Sequence, residues 1–137
     1  MTRRAFVRPT VQRPCTLVVC RGCCCGDRRK LPGTDHQWQL DRLRAAAADS
    51  GGRIALRTTD CLGPCEYANV VVVQPSADGR RRGGRATWIG LALDDSCTDE
   101  IIEWAVAGGP GIAEPPPALA LQFVRPPGMA ARSRAKR

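Results

Sequence analysis

Short apolar runs separated by polar, glycine-rich stretches dominate the chain, with one amphipathic segment between the first two runs. Thr16-Leu-Val-Val-Cys20 is continuous, apolar and rich in β-branched residues, which predicts a buried strand. Residues 21–34 contain Gly22, Gly26, Pro32 and Gly33 and predict a loop. Leu40, Leu43 and Ala47 then recur on one helical face, with Arg42 and Arg44 elsewhere. Asp35 is placed to cap this helix, which begins near His36, and Gly51-Gly52 to end it. Residues 53–59 alternate as a second strand, and residues 69–74 form a third around Val70, Val71, Val72 and Val73. A turn opening at Ser76 and extending through Arg80-Arg81-Arg82 to Gly84 leads to a returning strand over 86–93, a hairpin pattern. Asp94, Asp95 or Ser96 caps a final helix over about 98–107, with Asp99 and Glu100 in its first turn, ended by Gly108-Gly109-Pro110.

The predicted order is β-α-β-β-β-α. Two strands split by a helix suggest a parallel unit, followed by an antiparallel hairpin and a covering helix. The expectation is an α/β two-layer sandwich of the thioredoxin-like kind, a small mixed sheet with helices. A flexible N-terminal tail over 1–14 precedes the domain at 15–109, and a proline-rich extension over 110–137 follows. That extension is expected to be largely flexible, with 118–124 as a short return onto the body.

Charge changes this picture only at the ends. Arg3, Arg4, Arg8 and Arg13 begin the chain, and Arg125, Arg132, Arg134, Lys136 and Arg137 close it, with no acid among either group. These nine cations exceed the net charge of +8 by one, so residues 14–124 carry −1. Such blocks read as solvated ends before they read as binding surfaces. No run of eighteen apolar residues predicts a membrane span, and the first fourteen residues lack the apolar core of a secretory signal. The expected compartment is cytoplasmic, where eight cysteines point to metal or redox chemistry before disulfides.

The cysteines fall into position-matched pairs. Cys20 ends the first strand and Cys25 lies in the loop beyond it; Cys61 follows the second strand, with Cys65 in Cys61-Leu-Gly-Pro-Cys65. In a right-handed βαβ crossover both strands finish at one sheet edge, so the two cysteine loops open on the same side. Four thiolates there suit a [2Fe–2S] cluster, whose negative charge calls for nearby backbone N–H groups. Gly22, Gly26 and Gly63 leave room for such groups. Arg21, Arg28, Arg29 and Lys30 are placed to offset the charge. The plant-type spacing would need a cysteine at position 28, which is Arg28, and a Rieske centre needs two histidines where His36 stands alone.

Cys20-x4-Cys25 followed by Cys61-Leu-Gly-Pro-Cys65 resembles the thioredoxin-like [2Fe–2S] ferredoxins, among them the 24-kDa-type subunit of NADH dehydrogenase and its stand-alone relatives. The resemblance spans about 16–109. It implies that Cys20 and Cys25 bind one iron and Cys61 and Cys65 the other. It also implies one-electron transfer between redox partner proteins, without enzymatic activity, and a homodimer in some members. The run Cys23-Cys24-Cys25 departs from the family loop, so Cys23 and Cys24 compete with Cys25 as the second ligand.

Other readings compete. Cys20 and Cys23 form a C-x-x-C at a strand end, as in thiol–disulfide oxidoreductases, which leaves Cys61 and Cys65 unused. Structural zinc also accepts four thiolates, usually from tighter knuckles. Nucleic-acid binding by the ends and by Arg80, Arg81, Arg82 and Arg85 lacks the aromatic content of a stacking platform. Cys15 and Cys97 read as packing or surface thiols, and His36 as a helix-cap residue.

Overall fold

The computed structural model describes residues 13–21, 25–60, 62 and 67–126. Among them are a mixed five-stranded sheet and four helices. The strands are β1 (Cys15–Cys20), β2 (Ile54–Thr59), β3 (Val71–Gln74), β4 (Thr87–Ile89) and β5 (Phe123–Val124). The helices are α1 (His36–Asp49), α2 (Ala77–Arg81), α3 (Asp95–Val106) and α4 (Pro117–Ala120). The sheet order is β2-β1-β3-β4-β5. β1 and β2 run parallel, with Cys15 opposite Ile54 and Cys20 opposite Thr59. The remaining pairings, β1 with β3, β3 with β4 and β4 with β5, are antiparallel.

Strand period and helix face meet in one core. Cys15, Leu17 and Val19 of β1, Val71 and Val73 of β3, and Ile89 of β4 point to the same side of the sheet, as residues two apart must. Leu43 from α1 and Ile101, Ile102, Trp104 and Ala105 from α3 pack on them. Helix α1 begins where the sequence predicts, whereas α3 begins at Asp95, ahead of the expected 98, so that Asp95 and not Asp99 or Glu100 is the acid of its first turn. Asp35 accepts the Trp38 N–H at 2.9 Å, and Asp94 accepts the Cys97 N–H at 2.9 Å, each satisfying a donor that the helix itself cannot.

Two further predicted features differ. The turn over 76–84 contains α2, because Ser76 caps it through the Gly79 N–H and Asp78 forms ion pairs with Arg81 and Arg82 one turn on. The returning strand, expected over 86–93, keeps sheet pairing only for Thr87–Ile89. Beyond it Leu91 takes a left-handed φ of 57°, which ends the pleat and turns the Ala92 N–H onto the Asn69 carbonyl at 3.0 Å.

The order therefore gains a helix between β3 and β4, and after α3 a further helical turn and strand. Leu119 of α4 is fully buried. Phe123 of β5 stacks on Trp104 at 5.9 Å between ring centroids, and Trp104 Nε1–H donates to the Ala113 carbonyl at 2.8 Å. The described part of the segment read as an extension thus supplies the sheet's edge strand and part of its core. Residues 1–12 and 127–137 lie outside the described residues. Among the described residues no helix is long and apolar enough to cross a membrane.

Candidate metal centre

Parallel pairing aligns the ends of β1 and β2. Cys20 closes β1 opposite Thr59, and the Arg21 N–H continues the ladder to the Thr59 carbonyl at 2.9 Å. On the other side the Cys20 N–H donates to the Val70 carbonyl at 3.1 Å. The chain leading to Cys61 and the chain leaving Cys65 therefore both pass beside Cys20. Cys61, Cys65, Cys23 and Cys24, with Gly22 and Gly63, lie outside the described residues. Among the described residues no group of three or more histidine, cysteine or acidic side chains forms a metal site.

The two described candidate ligands come together. Cys20, Cys25, Ala68 and Val70 form a small buried cluster, lined by Leu31, Leu62 and Trp88. It is separate from the main core because Cys20 faces away from Leu17 and Val19. Cys20 Sγ donates to the carbonyl of Asp60, the residue before Cys61, at 3.0 Å. Cys25 Sγ accepts the Val70 N–H at 3.3 Å across 45 positions of sequence. Burial first, and then the neighbouring Cys20 thiol, push the Cys25 thiol up to about 12, while the Val70 N–H and Arg21 work in the opposite sense.

Sulfur donors buried this way fit a metal–sulfur group. The Cys25 thiol resists ionisation because it is buried, a bound cation would take the place of its proton, and an N–H already points at its sulfur. That donor belongs to Val70. Gly26, expected to leave room for such groups, donates its own N–H to Asn69 Oδ1 at 2.8 Å. Of the basic residues expected nearby, Arg21, Arg28 and Arg29 line a groove of about 480 Å³ together with Cys25, Gly26 and Asp27. The Asp27 carboxyl is held below its usual range, chiefly by the Arg29 N–H at 2.8 Å.

Behind the loop lies a buried polar network. Asn69 is fully buried, Gln39 is 2% exposed and His36 6% exposed. Asn69 Nδ2 meets His36 Nδ1 at 3.0 Å and Gln39 Oε1 at 3.4 Å. Because Asn69 Oδ1 already accepts from Gly26, its Nδ2 is the donor. His36 Nδ1 must then accept, and His36 Nε2–H donates to the Leu31 carbonyl at 3.1 Å. Gln39 Nε2 donates to the Ala92 carbonyl at 2.7 Å and to Thr98 Oγ1 at 3.1 Å. His36 is a cap-region residue, as its position predicts, and also a buried link in this network. Gln39 and Asn69 escape a reading built on apolar periodicity. The available signal was Gln39 at four-residue spacing from buried Leu43, and Asn69 immediately before four valines.

Cys15 and Cys97 are buried in the main core and unpaired. Burial raises both thiols, each to about 11. Comparison of the chain with models of known protein families, with curated proteins and with solved structures found no match.

Proposed function

We propose that the chain is a one-electron carrier holding a [2Fe–2S] cluster on Cys20, Cys25, Cys61 and Cys65, in a domain of the thioredoxin-like ferredoxin kind. The observation that carries this reading is the meeting of Cys20 and Cys25 beside the backbone that leads into Cys61 and out of Cys65. A cluster of this type, when bound, accepts and returns one electron. The chain's own part is to hold the sulfurs, exclude water through Leu31, Leu62 and Trp88, and direct the Val70 N–H at Cys25 Sγ. Four unpaired cysteines among the described residues fit a reducing, cytoplasmic setting. The partners are redox proteins that approach the cysteine edge of the sheet, and no substrate pocket or enzymatic step is invoked.

Anaerobic purification followed by iron and acid-labile sulfide analysis tests the reading, with electron paramagnetic resonance after dithionite reduction. Two irons and two sulfides per chain, with a rhombic or axial signal lost in Cys61→Ser, are expected. Zinc without iron or sulfide, or a normal cluster in Cys61→Ala, would overturn it.

A further inference from the structure

Arg21 follows Cys20 directly, and its guanidinium turns inward. Nη1–H donates to the Cys20 carbonyl at 2.9 Å. Nη2–H donates to the His36 carbonyl at 3.1 Å and to Gln39 Oε1 at 2.8 Å. These acceptors are neutral. They satisfy hydrogen bonds of this half-buried side chain without neutralising its charge. Among the described residues the ion pairs are Arg42–Asp99, Arg81–Asp78 and Arg82–Asp78, and none involves Arg21. The one carboxylate in its groove, Asp27, accepts from the Arg29 and Lys30 N–H groups.

Removing a guanidinium from water without a counter-charge is unfavourable. The fold nevertheless makes room for it. Gly26 has a φ of +80°, and a Cβ there would collide with the Arg21 side chain. Arg21 adjoins Cys20 in the chain and lines one groove with Cys25. The anions that would complete this arrangement are those sulfurs in their metal-bound form.

We propose that Arg21 is the fixed counter-charge of the cysteine site, clamped by Gln39 and the first turn of α1, and that it raises the reduction potential of the cluster. The inference rests on the iron–sulfur reading above. Reduction adds one electron to an already anionic group and breaks no bond, so a nearby fixed cation stabilises the reduced form more than the oxidised form. Toward this charge Gln39 and the His36 carbonyl are positioning groups, because they reach the site through Arg21.

The test is an electrode-mediated redox titration of the full chain, purified anaerobically, for wild type, Arg21→Gln, Arg21→Lys and Arg53→Gln. Arg53 lies at the start of β2, at the opposite end of the sheet from the cysteines, and serves as the charge control. With equal iron and sulfide, Arg21→Gln should lower the reduced-to-oxidised ratio at fixed potential by about tenfold, equivalent to ~59 mV for one electron. Arg21→Lys should recover most of that shift, and Arg53→Gln should leave the ratio within about twofold. Should Arg21→Gln fail to load iron, loading by Arg21→Lys supports a charge role, and failure of both assigns Arg21 to hydrogen bonding alone and overturns it. Equal potentials in loaded wild type and Arg21→Gln overturn the inference and leave the cluster standing. Wild type without iron overturns the underlying reading and the inference with it.

Discussion

His36 and Asn69, 33 positions apart, meet in the protein interior with Nδ1 and Nδ2 separated by 3.0 Å. The contact joins the start of α1 to the entrance of β3. Through Asn69 Oδ1 it also fixes the Gly26 N–H, one residue beyond Cys25. Replacing Asn69 with leucine, close in size, would leave the Gly26 N–H and His36 Nδ1 without partners. A loss of about 2–4 kcal/mol is expected, from two buried polar groups left unsatisfied. Urea unfolding of the metal-free chain checks it, and a loss below 0.5 kcal/mol would mean that water replaces Asn69.

Serine at Cys61 or Cys65 should abolish or distort the cluster, whereas Cys97→Ser should leave iron and sulfide content unchanged. Cys97 sits in the first turn of α3 and packs into the main core, away from Cys20 and Cys25. Metal analysis of the three variants side by side is sufficient. Iron lost from Cys97→Ser to the same extent as from Cys61→Ser would contradict the division between core thiols and ligands.

The core thiols also set an alkaline limit. Burial raises Cys15 and Cys97 from 9.0 to about 11 in the folded chain. The unfolded chain therefore loses these protons first as pH rises. Their stabilising contribution is complete below pH 9 and disappears progressively up to about pH 11. Thermal melts should fall over that window, and less steeply in Cys97→Ser, which has no thiol to titrate there. At pH 8 the same shift leaves about a hundredfold less thiolate than an ordinary cysteine, so both should resist iodoacetamide until the chain unfolds.

Leu119 tests how far the folded unit extends. It is fully buried against the main core although it follows Pro115-Pro116-Pro117. Leu119→Ala should cost about 2–4 kcal/mol, the range for a leucine cavity in a packed interior. Truncation after residue 116 should cost more, since it also removes the Phe123 stack on Trp104. An unchanged denaturation midpoint in Leu119→Ala would make this segment an ornament of the surface.

Much of the frame was legible because it rests on local periodicity. Continuous β-branched runs marked β1 and β3, Asp35 marked the start of α1, and Asp94 was one of three candidate caps for α3. The βαβ order was enough to anticipate that β1 and β2 run parallel and end at the same edge. Three things were hidden, each for a tertiary reason. Leu91 adopts a conformation that its side chain gives no hint of. The return of 118–124 onto the body was legible, but not that Phe123 and Val124 would pair with β4 as a fifth strand. Asn69 and Gln39 are polar residues whose value lies in partners distant in sequence, from 18 to 59 positions away.

Gly51 and Gly52 join α1 to β2 at the end of the sheet opposite the cysteines, exposed and with nothing within 4 Å of either Cα substituent position. On the proposed iron–sulfur reading, a break there would divide the chain into two pieces, each owning one of the proposed ligand pairs and neither the whole set. The core would have to reassemble, with β2 docking beside β1, before four sulfurs shared one edge. Colour on mixing two colourless fragments would then report fragment complementation directly, making this small domain a natural scaffold for a split reporter read in visible light.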